Sequence, residues 1–272
     1  ERIMPELPEV ETIKNGLGIC LNATILESKV YNFQLRYPVP HNISELIHNR
    51  QILEITRRSK YLILKLDNGF LLFHFGMTGR LNITQHYRKE QHDHLVFALD
   101  NGLIISYNDS RKFGAILWID GVLEKHPLIK NLGVEPFSTA FNAEHLYNKC
   151  LIRKIPIKQL FMEGKAVVGV GNIYASEVLF DARIHPTRLA NTITSKECKQ
   201  LYQSVQAILS KAIKAGGTTI KDFRNHEGNL GYFTQQLMVY GRDGQHCLLC
   251  HSVIIKITQN NRSSYYCSKC QV

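Results

Sequence analysis

The sequence predicts an α+β chain of more than one domain, with a β-sandwich flanked by helix first, helices next and a small cysteine-rich module last. Three observations carry this. Two Asp-Asn-Gly tripeptides separate alternating apolar stretches in the first half. Helix-periodic segments with start and stop signals follow residue 131. Four of the seven cysteines crowd the C-terminal end.

Residues 8–20 fit a short helix, with Val10, Ile13 and Leu17 on one face. After it the pattern turns β-like. Thr24–Tyr31, Gln51–Thr56 and Tyr61–Leu66 alternate at least in part. Asp67-Asn68-Gly69 turns the chain into Phe70–Phe75, and Asp100-Asn101-Gly102 joins Leu95–Leu99 to Leu103–Tyr107. Asn-Gly supplies the positive φ angles of a tight hairpin, so two antiparallel hairpins are expected. Ala115–Ile119 adds a strand.

Asn131-Leu132-Gly133-Val134-Glu135-Pro136 has the composition of a linker. Helices are expected over 138–150, 155–163, 172–182 and 195–215. Thr194 and Glu197 fit a capping box for the last, and Gly216-Gly217 stops it. Residues 216–236 are glycine-rich and polar, which predicts a loop.

Cys247, Cys250, Cys267 and Cys270 form C-x2-C, sixteen residues, then C-x2-C. This spacing presents four thiolates to one tetrahedral zinc ion. A disulfide framework is the alternative. The first dozen residues are acidic and proline-punctuated, which predicts no secretory signal and favours a reducing compartment. Four cysteine ligands leave no open position, so the zinc is expected to be structural. Cys20, Cys150 and Cys198 stand alone in sequence and are expected to be reduced, buried or inert.

At 272 residues, with 44% hydrophobic content, the chain can bury a substantial core. Its net charge of +10 favours an anionic partner, nucleic acid or membrane surface. No apolar run approaches a membrane span and no basic amphipathic helix is evident, so membrane is the weaker choice.

Met4-Pro5-Glu6-Leu7-Pro8-Glu9 carries the sharpest chemistry. Met4 reads as an initiator with Glu1-Arg2-Ile3 upstream of it, and its removal exposes the secondary amine of Pro5. An α-amino group has a pKa near ~8, so much of it is free base at neutral pH. Such an amine can attack a sugar carbon and form an iminium, with Glu6 beside it to move a proton. The plainer alternative is that Pro5 and Pro8 only set the start of the first helix. Lys60 is a second candidate amine, against a solvated surface charge. Met77, set between Gly76 and Gly79, and Arg111 and Phe113 could form a wedge for a duplex; ordinary packing is the competing reading. His92-Asp93-His94 lacks a third metal ligand at sensible spacing and fits phosphate contact or packing better. Gly169-Val170-Gly171-Asn172 opens a helix whose N–H groups suit a phosphate, although helix punctuation alone explains it.

Taken in order, these stretches resemble the bacterial formamidopyrimidine-DNA glycosylases. The resemblance rests on Pro-Glu-Leu-Pro-Glu-Val-Glu-Thr at 5–12, Arg-Arg-Ser-Lys-Tyr-Leu at 57–62, His-Asp-His at 92–94 and Asp-x-Arg-Lys-Phe-Gly at 109–114. Val-Val-Gly-Val-Gly-Asn-Ile-Tyr-Ala-Ser-Glu at 167–177, Gly-Gly-Thr-Thr at 216–219 and the four cysteines continue it. It implies a catalytic β-sandwich over 5–131, a linker over 132–137, a helix–two-turn–helix domain with a lesion-capping loop over 138–236, and a β-hairpin zinc finger over 237–272.

The resemblance also implies a base-excision repair enzyme that removes 8-oxoguanine and formamidopyrimidines from double-stranded DNA and then nicks the strand by β,δ-elimination. Pro5 would be the Schiff-base nucleophile, Glu6 the proton donor and Lys60 the residue serving β-elimination. Arg262 would bind phosphate and assist δ-elimination. His92, Arg111, Arg153, Lys158 and Asn172 match DNA-contacting positions, with Met77 and Phe113 in the wedge. Lys221, Glu227 and Tyr232 are candidates for the loop that closes over the extruded base. A monomer acting in the bacterial cytoplasm, at the nucleoid, is expected. Ser110 departs from the family's usual proline. Any residues retained before Pro5 would leave its nitrogen an unreactive amide, so the active form is expected to begin at Pro5.

The related endonuclease VIII group, acting on oxidised pyrimidines, is a rival reading; Leu7, Val10 and the Arg-Lys-Phe wedge favour the purine branch. A non-catalytic DNA-binding zinc protein explains the charge and the cysteines but leaves Pro5-Glu6 idle. An RNA-binding zinc ribbon fits the tail alone.

Overall fold

The computed structural model describes residues 5–217 and 237–272. These fall into two compact units: residues 5–130 with 216–217, and residues 131–215 with 237–272.

The first unit opens with helix α1 (Leu7–Gly16). Glu6 is its N-cap in a capping box with Glu9, and Pro8 lies in its first turn. The helix stops short of residue 20: Gly16 and Gly18 lower helix propensity by up to ~1 kcal/mol each, and Leu17–Cys20 tightens into a 3-10 turn. Val10, Ile13 and Leu17 are buried as expected.

Eight strands follow: β1 (Thr24–Val30), β2 (Arg50–Arg58), β3 (Tyr61–Leu66), β4 (Gly69–His74), β5 (Arg80–Thr84), β6 (Asp93–Leu99), β7 (Ile104–Asn108) and β8 (Ala115–Ile119). Helix α2 (Ile43–Ile47) precedes β2 and α3 (Pro127–Lys130) ends the unit. The strands pair antiparallel in the order β5-β7-β6-β1-β2-β3-β4-β8. The β1–β2 join is narrow, with only Thr24↔Gln51 and Ile25↔Arg50 in register. The strands on both sides of that join feed one core: Leu62, Leu64, Leu71 and Phe73 from one side, Phe97, Ile105 and Tyr107 from the other, with Val10 and Ile13 of α1. Each fully buried leucine or phenylalanine contributes about 1.5–3 kcal/mol.

Both expected hairpins form, by different turns. In β3–β4 the register Leu66↔Gly69 puts Asp67-Asn68 at the centre, and neither has positive φ. In β6–β7 the loop has three residues, and Gly102 takes φ +81° as its bulge. The sequence reading missed α2 and β5. Strand β5 buries only Leu81, so it carries almost no alternation.

The β4–β5 and β7–β8 connections meet backbone to backbone. A Cβ on Gly114 would lie 1.8 Å from Tyr107 Oη and 2.5 Å from the His74 carbonyl oxygen. Gly114→Ala is therefore expected to cost at least ~2 kcal/mol and lower the melting temperature by about 5 °C. Gly18→Ala, which meets nothing within 4 Å, is the control. Equal melting of the two variants would remove this account.

The second unit contains α4 (Ala143–Leu151), α5 (Ile157–Met162), α6 (Asn172–Asp181), α7 (Ser195–Lys214) and the antiparallel hairpin β9 (Ile254–Gln259) and β10 (Arg262–Cys267). Helix α4 begins later than expected because Asn142 caps it, accepting from His145 N at 2.8 Å. Thr194 and Glu197 close the expected capping box on α7, which buries Cys198, Leu201, Val205, Leu209 and Ala212 along one face. Between α5 and α6 the chain makes two turns, with Gly164 and Gly169 at positive φ.

Within this unit the expected linker is docked: Gly133 N donates to Gly164 O at 2.8 Å, and Val134 bridges Val167. Residues 138–215 of the expected helical domain share the unit with residues 237–272, whereas Gly216 and Gly217 belong to the first unit. Buried Glu177 of α6 accepts from the backbone N–H groups of Met238, Val239 and Tyr240 at 2.8–3.0 Å. Burial pushes its pKa up, against the pull of those three bonds. Gln271 donates to Ile184 O at 2.9 Å and accepts from Cys267 N at 2.9 Å.

Candidate functional site

Pro5 and Glu6 are both buried at the amino end of α1. Glu9 Oε2 accepts from Glu6 N at 2.8 Å, which fixes the backbone on which the Glu6 carboxylate rides. Gly217, at φ +79°, packs directly on Glu9; a Cβ there would come within 3.0 Å of Glu9 Oε1.

Lys60 sits in the two-residue turn between β2 and β3, with Ser59 at φ +57°. Arg57 supports that turn. Its guanidinium donates to Ser59 O at 2.8 Å and to Glu11 Oε2 at 2.7 Å. Burial pushes the Glu11 carboxyl up, but Lys14 and Arg57 hold it lowered overall. Arg57 thus ties the Lys60 turn to α1. His74 pairs across β3–β4 with Tyr61, next to Lys60 in sequence. Its pKa is lowered to about 4 by burial, with Lys60 and Arg36 adding repulsion. A neutral imidazole therefore stands near Lys60 at physiological pH. The sequence reading gave neither Glu11 nor His74 a role, because their partners Arg57 and Lys60 lie on other elements.

Met77 and the Arg111–Phe113 loop come together beside β7. The Arg111 guanidinium lies 4.6 Å from the centre of the Phe113 ring, and that ring is 47% exposed. His92 is exposed with φ +73°, whereas Asp93 and His94 of the same motif are buried and structural. Asp93 accepts from Tyr87 Oη, Glu90 N and Asn108 Nδ2 at 2.8–2.9 Å.

In the second unit, Asn260 and Asn261 both take positive φ, which makes the two-residue primed turn of β9–β10. Arg262 follows at the exposed hairpin tip. It lines a cavity of about 200 Å³ with Lys158, Gln159 and Asn260. Lys158 itself is 2% exposed. Its ammonium donates to Asn172 Oδ1, Ser263 O and Ser264 Oγ at 2.7–2.8 Å. Arg153 is half-buried and paired with Glu163. Lys221, Glu227 and Tyr232 lie outside the described residues.

The Sγ atoms of Cys247, Cys250, Cys267 and Cys270 all lie within 4.8 Å of one another. The Cys247–Cys270 and Cys250–Cys267 separations are 3.9 and 3.3 Å. Tetrahedral Zn–S bonds of ~2.3 Å require sulfur–sulfur edges of about 3.8 Å, so this donor set fits a closed four-thiolate metal site. Cys150 and Cys198, expected to stand alone, face each other across α4 and α7 with sulfurs 4.0 Å apart.

Comparison with known proteins decides the family. Residues 4–116 match the model of the formamidopyrimidine-DNA glycosylase N-terminal domain, and residues 132–224 match that of its H2TH domain. The chain belongs to the formamidopyrimidine-DNA glycosylase family. It is 46% identical over 270 residues to the formamidopyrimidine-DNA glycosylase of Enterobacter sp. (strain 638), covering 98% of this chain and 100% of that protein. The Rickettsia felis glycosylase is 47% identical over 272 residues, with 98% of each chain covered. Among solved structures, MutM (Fpg) from Thermus thermophilus superposes with a TM-score of 0.88 at 33% identity, covering 98% of both chains. Lactococcus lactis Fpg bound to DNA containing N7-benzyl-Fapy-dG gives 0.89 at 32% identity, covering 98% of this chain and 99% of that one. The mixed α+β fold, with its antiparallel sheet, helix–two-turn–helix region and cysteine hairpin, is that of this family of glycosylases.

Proposed function

We propose that this chain is a base-excision repair DNA glycosylase and AP lyase, which removes oxidised purines from duplex DNA and cuts the strand by β- and δ-elimination. The observation that carries the reading is the buried Pro5-Glu6 pair at the amino end of α1. It stands in a chain whose relatives bear the glycosylase name over their full length.

The chemistry follows from the residues. The target sugar carbon is unreachable inside a stacked duplex, so the nucleotide must leave the stack at a cost of a few kcal/mol. Met77, Phe113 and Arg111 fill the space it leaves, and Arg111 hydrogen-bonds the unpaired base. The Pro5 nitrogen attacks C1′ while Glu6 supplies a proton, and the C1′–base bond breaks. The C1′–O4′ bond then opens, its oxygen taking the proton that the Pro5 nitrogen sheds, and the resulting iminium acidifies the C2′ hydrogen. Lys60 serves its removal, and the C3′–O bond breaks with loss of the 3′ phosphate. A second elimination, assisted by Arg262, frees the 5′ phosphate. His92, Arg153 and Asn172 bind the backbone. Lys158 acts there through its bonds to Asn172 and β10. One zinc ion held by the four cysteines keeps the hairpin folded and takes no part in the chemistry. No helix among the described residues is long and apolar enough to cross a membrane.

The test is reduction with borohydride during reaction on an 8-oxoguanine duplex, with a thymine glycol duplex in parallel. The expected product is a covalent adduct mapped to Pro5, formed by a species whose intact mass begins at Pro5, and formed faster on 8-oxoguanine. An adduct on Lys60, or none from correctly processed protein, would overturn the mechanism. Faster trapping on thymine glycol would move the substrate to oxidised pyrimidines.

A further inference from the structure

Asp109 has no place in the chemistry above and no exposed surface. Its carboxylate is nonetheless committed to the two loops that carry the wedge. Oδ1 accepts from the Thr78 hydroxyl and, at 3.2 Å, from Arg111 N; Oδ2 accepts from Gly114 N at 2.8 Å. Thr78 follows Met77, and Arg111 and Gly114 bracket Phe113. Thr78 Oγ1 closes the triangle by accepting from Arg111 N at 3.1 Å.

Asp109 is held in turn from behind. Its carbonyl oxygen pairs with buried His94 Nε2 at 2.7 Å, and its N–H donates to His92 O at 3.1 Å. The His92-Asp93-His94 and Asp109–Gly114 motifs, far apart in sequence, are thereby one construction. Gly76 completes it: a Cβ there would meet the Phe113 carbonyl carbon at 2.5 Å, so the loops pack with no side chain between them.

We propose that Asp109 is a positioning residue that locks the Met77 loop and the Arg111–Phe113 loop into one rigid wedge before DNA arrives. This rests on reading Met77, Arg111 and Phe113 as the wedge. A carboxylate suits the task because charge-assisted bonds to a hydroxyl and two N–H groups are roughly twice as strong as neutral ones. An amide in its place would turn a donor toward a donor. Loops left loose would have to be ordered during extrusion, which adds to the cost of that step and leaves the covalent chemistry untouched.

The experiment compares one lesion, 8-oxoguanine, in a fully paired duplex and in a single-nucleotide bulge where it has no partner. An unpaired base costs less to extrude. Asp109→Asn is expected to lower kcat/KM on the paired duplex by about 30-fold and on the bulge by no more than about 3-fold. Thr78→Val, which removes the hydroxyl that donates to Asp109 and accepts from Arg111 N but leaves the Asp109 carboxylate on Arg111 N and Gly114 N, should shift in the same sense by less and guards against misfolding of the first variant. Met77→Ala with Phe113→Ala tests the underlying reading. If that pair shows no defect confined to the paired duplex, the wedge reading fails. If it shows one, adding Asp109→Asn to it should cost little more. Equal losses on both substrates for Asp109→Asn and Thr78→Val, or full additivity with the wedge deletion, would overturn the role of Asp109 alone.

Discussion

Glu6→Gln is expected to reduce base excision by about 10²- to 10⁴-fold while sparing much of the cleavage of a pre-formed abasic site. The structure explains why the substitution is clean. Glu6 is the N-cap of α1, and glutamine keeps the oxygen that can accept from the Glu9 backbone N–H. The bond from Glu6 N to Glu9 Oε2, at 2.8 Å, involves backbone on the Glu6 side and survives. The helix should therefore start where it does now, with the Pro5 nitrogen in place. What is lost is a transferable proton. Excision of a purine needs that proton as the glycosidic bond breaks. An abasic site already offers an aldehyde, and a neighbouring amine condenses with it without expelling a base. The measurement is single-turnover cleavage of an 8-oxoguanine duplex beside an abasic duplex of the same sequence, with borohydride trapping of each. Equal losses on both substrates would remove Glu6 from the proton-transfer role and leave it as a cap.

How much of this was legible in the sequence depends on the range of the interaction. Local signals read well. Thr194 and Glu197 cap α7 because both partners lie within one turn, and the cysteine knuckles converge because a C-x2-C hairpin can do little else. Signals that mixed local and tertiary effects read in part. Asp-Asn-Gly marked two hairpins correctly, yet the register of the strands put Gly69 in the strand and Gly102 in the loop. Long-range pairings were invisible. Arg57 reads as part of a basic cluster, and only the fold shows it spent on Glu11 and the Lys60 turn. Lys158 matches a DNA-contacting position by motif, but it is buried among Asn172, Ser263 and Ser264, residues that are close only once the hairpin lies on α6. Asp109 stood within a quoted motif without a role, because its partners Thr78 and His94 come from other strands' ends.

Stripping zinc is expected to abolish tight duplex binding while leaving the β-rich unit folded. A two-stranded hairpin is marginal in water by itself. Among the described residues of the module, the buried apolar groups are few: Leu237, Val239, Tyr240, Ile254 and Tyr265, beside Cys247 and Cys267. A metal in the four-thiolate site supplies the missing stability, since apparent zinc-binding free energies of ~10–16 kcal/mol in such sites are folding free energies. Without it, Cys267 loses its place next to Gln271, and strand β10 loses the register that sets Ser263 and Ser264 on Lys158. Arg262, exposed at the tip of the same hairpin, then has no fixed position from which to hold a phosphate. The loss should appear as a weaker salt dependence as well as a weaker affinity, because fewer phosphates are neutralised. Thiol titration with a zinc indicator should release one ion per chain, duplex affinity should fall by at least about 100-fold, and re-addition of zinc should restore it. Unchanged affinity in the metal-free protein, or the same loss of affinity with unaltered salt slope, would show that the hairpin does not carry the phosphate contact assigned to Arg262.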